Sequence, residues 1–129
     1  MAILLDQITV RDREEIYRVL VALHEVVQDA GADYIYPGNV NDSCFYVILG
    51  QHSCLASRVL GKLGVPAPVL SRWEGFSMGQ LNYVITGLHQ AARLILDRAQ
   101  RLQDSRTLVW GEILNEITFL AEKEYGVTV

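Results

Sequence analysis

Two thiols and an imidazole lie close together in the segment from Cys44 to Cys54, with His52 between the two cysteines. Sulfur and imidazole nitrogen are ligands that zinc prefers. The cysteine spacing is not of the paired C-x-x-C type, however, and a closed zinc site needs a further ligand from elsewhere. Cysteine more often serves as a small buried apolar residue. We therefore predict neither a metal nor another cofactor here.

The same segment could hold a thiol nucleophile. Cys54 is expected in the first turn of a helix, where the helix dipole lowers the pKa of a thiol, and His52 is close in sequence as a candidate base. His24 and His89, each on a predicted helix, could complete such a site. A histidine on a helix is more often hydrogen-bonded or partly exposed than catalytic. Cys54 and His52 are the catalytic candidates if the protein is an enzyme.

Four aromatic residues fall in or beside predicted loops: Tyr34, Tyr36, Trp73 and Phe76. Binding surfaces are commonly built on loops, and aromatic side chains contribute strongly to them. The same residues could instead cover the edge of the core. We take them as the candidate binding residues.

Positive charge is concentrated on one predicted helix, in a pattern that could bind phosphate. At about 100° per residue these side chains do not share one line, and Asp97 and Asp104 interleave with them. Glutamates on the last helix offer them partners within the molecule or across a dimer. The arginines are Arg93, Arg98, Arg101 and Arg106, and the glutamates are Glu112, Glu116 and Glu122. Because the net charge is also -4, we do not expect nucleic acid to be the main partner.

The sequence contains neither the glycine-rich fingerprints of nucleotide sites nor the HExxH motif. Their absence removes the commonest cofactor interpretations and leaves open an enzyme without a local signature.

The first predicted helix begins after Thr9, where Asp12 supports a cap, and ends at Gly31. Residues 33–42 are rich in turn formers and predict a loop. The aromatic and β-branched run from Cys44 to Leu49 predicts a strand, with Tyr34 to Tyr36 as its partner in a hairpin. The apolar face of the first helix contains Ile16, Val19, Leu20, Leu23, Val26, Val27 and Ala30.

Ser53 is expected to cap a second helix that ends at Gly64. Thr86 is expected to begin a long helix that ends near Asp104, and a last helix follows Ser105 or Thr107 and ends before Gly126. The short connection makes the last two helices antiparallel neighbours. The sequence thus predicts a mainly α fold: a compact bundle of four to five helices with a small β-hairpin near residues 34–49, in a single helical domain over residues 1–129.

Composition points to self-association in a reducing compartment. Of the 129 residues, 50% are hydrophobic and 20% are charged, which is more apolar than a small domain usually needs for its own core. Two cysteines are too few for a disulfide scaffold, and the N-terminus lacks the pattern of a signal peptide. We therefore expect a cytoplasmic homo-oligomer, most simply a homodimer, with no membrane contact.

Several short motifs resemble small uncharacterised proteins of actinobacteria and their phages. They are Ser53-Cys54-Leu55, Leu60, Leu63-Gly64-Val65, Ala99-Gln100, Gln103-Asp104 and Trp110-Gly111-Glu112. The resemblance covers the middle and C-terminal parts of the chain and implies a bacterial or phage-infected cytoplasm. It brings no activity and no functional residue.

Together these observations favour a non-enzymatic accessory protein that acts by protein–protein binding as a homo-oligomer. The alternative is a small enzyme or a ligand- or metal-binding protein centred on His52 and Cys54. Nucleic-acid binding through the arginine-rich helix ranks third.

Overall fold

The computed structural model describes residues 8–37, 46–105 and 107–129. These residues form a mainly helical structure with one small antiparallel sheet, as predicted. In chain order the elements are α1 (Val10–Ala30), β1 (Val47–Ile48), β2 (Gln51–His52), α2 (Leu55–Lys62), α3 (Ala67–Ser71), a 3-10 helix (Met78–Gln80), α4 (Tyr83–Thr86), α5 (Gln90–Asp104) and α6 (Trp110–Tyr125). None of the described helices is both long and apolar enough to span a membrane.

Helix α1 begins and ends where the sequence predicts. The Asp12 amide donates to the Thr9 hydroxyl at 3.0 Å, and the Thr9 amide donates back to the Asp12 carboxylate at 3.3 Å. At the other end the Gly31 amide donates to the Val27 carbonyl at 2.8 Å. The reciprocal bonds between Thr9 and Asp12 satisfy amides that have no partner inside the helix.

The core lies among the three long helices, because α1, α5 and α6 all contact one another and α2 packs across α1 and α5. Leu20, Leu23, Ile95 and Trp110 are among the fully buried side chains that fill it. Residues 105–109 join α5 to α6, and so short a connection places the two helices antiparallel.

The strand prediction is confirmed at Val47–Ile48, but its partner is different. Strand β1 pairs with the following segment, Val47 opposite His52 and Ile48 opposite Gln51. The Tyr34 carbonyl instead accepts the Trp110 amide at 2.8 Å. The carbonyls of Tyr34 and Ala32 therefore cap α6, whose first amides lack partners in their own helix.

The long helix predicted to begin at Thr86 begins four residues later. Thr86 ends α4, its hydroxyl donates to the Asn82 carbonyl at 2.9 Å, and Gly87 turns the chain with φ of 72°. Helix α5 then starts after His89, whose amide donates to the Glu15 carboxylate at 2.6 Å. The boundary is thus set by a carboxylate on α1, which a local sequence pattern does not contain.

Candidate functional site

His52 fastens the hairpin to the end of α2. Its Nε2 lies 2.8 Å from the Val65 carbonyl oxygen, and its ring faces Gly61 so closely that a Cβ at that glycine would lie 2.9 Å from ring atoms. His52 lines an open cleft of about 280 Å³ together with Asp29, Arg58 and other residues, and Cys54 does not line it. The cleft beside His52 therefore does not include the Cys54 thiol.

Cys54 is the residue before α2, the position predicted for Ser53, and has no solvent-exposed surface. The first amides of α2 are already bonded: Leu55 donates to the Gln103 side-chain oxygen at 2.7 Å, and Ala56 donates to that of Gln100 at 2.9 Å. The two glutamine side-chain amides reach Asp104 Oδ1 at 3.0 and 3.2 Å. The amides that could activate a thiolate are thus occupied by side chains of α5.

The other histidines occupy separate places. His24 is exposed on α1, whereas the ring of His89 binds Glu15 through Nδ1 at 2.6 Å and lies beside the Tyr83 ring, with centroids 4.4 Å apart. Neither lines the cleft beside His52. Cys44 lies outside the described residues, and the described residues contain no group of three or more potential ligands that could hold a metal ion.

The four candidate aromatics fall into two pairs. Tyr34 stacks edge-on against buried Trp110 with centroids 4.6 Å apart, and the Arg58 guanidinium lies over both rings. Tyr36 is buried, and its hydroxyl lies 2.6 Å from the Ser53 hydroxyl. Both side chains pack on the core, on the segment that follows α1 and runs beside the start of α6.

The second pair lies on a loop beside the hairpin. The rings of Trp73 and Phe76 meet edge to face at 5.2 Å, and Phe76 is 46% exposed. Between them in sequence, the Glu74 carboxylate accepts the amides of Tyr46 at 2.7 Å and Val47 at 3.1 Å. The Tyr46 hydroxyl also donates to the Phe76 carbonyl. These bonds hold the loop and the first strand together.

The turn of the hairpin presents an apolar side chain to solvent. Leu49 is 96% exposed, and its backbone has φ of 53°, in the left-handed region. Gly50 follows with φ of 75°, which completes the pattern of a two-residue type I′ turn. Neighbouring Ile48 is 45% exposed. We call Ile48, Leu49, Trp73 and Phe76 the hairpin surface.

Only half of the hairpin surface was predicted from the sequence. The sequence predicts Trp73 and Phe76 as binding residues, whereas it places Ile48 and Leu49 in a strand, which is confirmed for Ile48. The signal for the turn is the dipeptide Leu49-Gly50 between two short strands, because glycine is common at the second position of such turns. Leucine at the first position hides that signal.

The arginines of α5 are mostly bound locally. Arg101 pairs with Asp97 on the same helix at 2.9 Å, and Arg93 donates to the carbonyls of Leu81 and Leu88. No ion pair among the described residues joins α5 to the glutamates of α6. Arg106 lies outside the described residues, so Arg98 is the only described arginine of α5 without a local partner.

Comparison of the chain with protein-family models, curated proteins and solved structures finds no match.

Proposed function

We propose that this chain is a non-enzymatic accessory protein that binds another protein through the hairpin surface. The observation that carries the proposal is Leu49, which combines a nearly fully exposed apolar side chain with a left-handed backbone. Asparagine or aspartate at this position would favour the same turn and would present a polar, well-hydrated side chain to solvent. Leucine at this position destabilises the turn and exposes apolar surface to water. A contact that its side chain makes with a bound partner best explains both costs.

The bonds around Glu74 support this proposal. A carboxylate that accepts two backbone amides fixes the loop against β1, and the Tyr46 hydroxyl adds a further tie to Phe76. Because the backbone of this loop and of β1 is already held in place, binding costs less conformational entropy than it would on a mobile loop. The chemistry expected of the partner is an apolar patch or pocket that receives Leu49 and Phe76.

The enzyme alternative centred on His52 and Cys54 has weaker support. Cys54 is buried, the amides next to it are capped by Gln100 and Gln103, and His52 is bonded to the Val65 carbonyl. A nucleophile must be reachable and must lie within hydrogen-bond reach of its base. We further propose that the protein acts as a homo-oligomer in a bacterial or phage-infected cytoplasm.

Photo-crosslinking tests the proposed surface. Leu49 is replaced by a photoreactive phenylalanine analogue in protein expressed in a bacterial host, and the same analogue replaces exposed Gln28 on α1 as the control. We expect a discrete adduct with a different protein from position 49 only, and we expect Phe76→Asp in the same chain to abolish it. Equal adducts at both positions, no adduct at 49, or an adduct only with a second copy of this chain would overturn the proposal.

A further inference from the structure

A second open groove lies between α5 and α6, with a volume of about 370 Å³. It is lined by Arg98 and Leu102 from α5 and by residues of α6 that include Glu116 and Phe119. None of these residues belongs to the hairpin surface. The groove is therefore separate from the hairpin surface, and the inference drawn from it rests on the proposed homo-oligomer.

The groove and the face of α5 beside it carry exposed apolar side chains. Phe119 lines the groove and is 66% exposed, with Lys123 Nζ 5.8 Å from its ring centroid, and Leu94, one helical turn before Arg98 and outside the groove lining, is 38% exposed. Leu94, Arg98 and Leu102 are spaced four residues apart and so share one face of α5. The unusually apolar composition of this short chain agrees with such a face being covered in the assembled protein.

The charges along the groove are balanced. Its lining contains two cations, Arg98 and Lys123, and two anions, Glu116 and Glu124. None of the four takes part in an ion pair among the described residues. A surface that contains equal numbers of both charges can be complementary to itself, which is the requirement for a two-fold symmetric interface.

The positions of Arg98 and Glu116 define how two copies would meet. Arg98 lies six residues before the end of α5 at Asp104, and Glu116 lies six residues after the start of α6 at Trp110. Because an α-helix rises about 1.5 Å per residue, both lie about 9 Å from the joined ends of the antiparallel pair. A two-fold axis parallel to these helices would then bring Arg98 of one copy level with Glu116 of the other.

We propose that the α5/α6 groove binds a second copy of this chain. In the dimer, α5 of each copy packs on α6 of the other, Phe119 and Leu102 are covered, and Arg98 pairs with Glu116 twice. The result is a four-helix arrangement at the interface, in which short-range packing supplies affinity and the two ion pairs fix the register.

Complementary charge variants test this interface by sedimentation velocity. Arg98→Glu alone places Glu opposite Glu at both pairs, and Glu116→Arg alone places Arg opposite Arg, so each variant should dimerise at least about tenfold more weakly than wild type. When the two variants are mixed in equal amounts, both pairs become attractive, and the heterodimer should form again. An ion pair within one chain cannot produce this recovery.

Circular dichroism of each variant checks that the fold is kept, since both side chains are exposed. Phe119→Asp should give a folded monomer, while Leu49→Asn, on the hairpin surface, should dimerise like wild type. The proposal is overturned if wild type is monomeric, if the single variants dimerise normally, or if the mixture does not recover. None of these outcomes bears on the adduct expected at position 49.

Discussion

Leu49 is unfavourable for stability in two ways, because its apolar side chain is exposed and because leucine in the left-handed region crowds its Cβ against the backbone. Asparagine tolerates this conformation and is preferred before glycine in a type I′ turn. We predict that Leu49→Asn raises the free energy of unfolding by about 1 kcal/mol, as measured by urea denaturation. Leu49→Val is the matched control and should lower it, because a β-branched side chain fits positive φ least well. A less stable Leu49→Asn variant would show that the turn is not strained.

Tyr125 gives the protein a dependence on alkaline pH. Burial, and then the negative charge of Glu124, raise the pKa of Tyr125 above its usual value of 10.0. The folded state therefore holds this proton more tightly than the unfolded state, so the associated stability is present below pH 10.0 and is lost as the pH rises through the folded pKa. The pKa of Lys62 is also raised, chiefly by its hydrogen bond with Asp29, and acts in the same direction.

We expect Tyr125→Phe to lose less stability than wild type between about pH 8 and pH 11. The measurement is the urea midpoint across that range. Tyr17→Phe, at an exposed tyrosine, is the control and should keep the wild-type profile. If the urea midpoint of Tyr125→Phe falls with pH as steeply as that of wild type, other groups cause the loss of stability at alkaline pH.

At the scale of elements, those with their own start and stop signals were predictable, whereas the start of α5 and the partner of β1 were not. Helix α1 carries Thr9, Asp12 and Gly31 within its own sequence, and the apolar repeat of α6 ends at Gly126. The start of α5 depends on Glu15, which is 74 residues away. The partner of β1 likewise could not be predicted, because the competing use of Tyr34 as a cap is a tertiary contact.

The start of α2 likewise depends on residues distant in sequence, because the side chains of Gln100 and Gln103 on α5 cap its first amides. Replacing Gln103 by Met keeps the length of the side chain but leaves the buried Leu55 amide without its acceptor. We predict a loss of about 1–3 kcal/mol in the free energy of unfolding. Gln28→Met, at an exposed position of α1, is the control and should change stability by less than about 0.5 kcal/mol. Equal effects of the two substitutions would exclude a capping role for Gln103.

The contact of His52 with Gly61 ties the hairpin to α2. A Cβ at Gly61 would lie 2.9 Å from the His52 ring, so Gly61→Ala should push the ring away from the Val65 carbonyl and cost about 1–3 kcal/mol. In the His52→Ala background the same change should cost less, because no ring remains to be displaced. Thermal denaturation of the double-mutant cycle measures this difference, and an additive cycle would mean that the two residues do not interact.

At the scale of the whole molecule, composition predicted an excess of apolar residues without showing where they lie. The structure places exposed apolar side chains on the hairpin surface and in the α5/α6 groove, and others elsewhere, such as Val10 and Val84. The candidate thiol was predicted to start α2, but its burial and the capping of its neighbours arise from α5. A local pattern does not contain such contacts between distant segments.

Self-association through the groove predicts a stability that depends on protein concentration, because dimerisation stabilises only the folded chain. The Tm of wild type should rise with concentration, whereas that of Phe119→Asp should not. Calorimetry over a wide concentration range measures both. A wild-type Tm independent of concentration would argue against the dimer.

The central claim is that Leu49 contacts a partner protein. The most direct measurement is the Kd of the partner captured at position 49, determined by isothermal titration calorimetry with wild type and with Leu49→Asn. We predict that Leu49→Asn binds at least about tenfold more weakly although it is the more stable protein. Unchanged affinity of Leu49→Asn would contradict the claim.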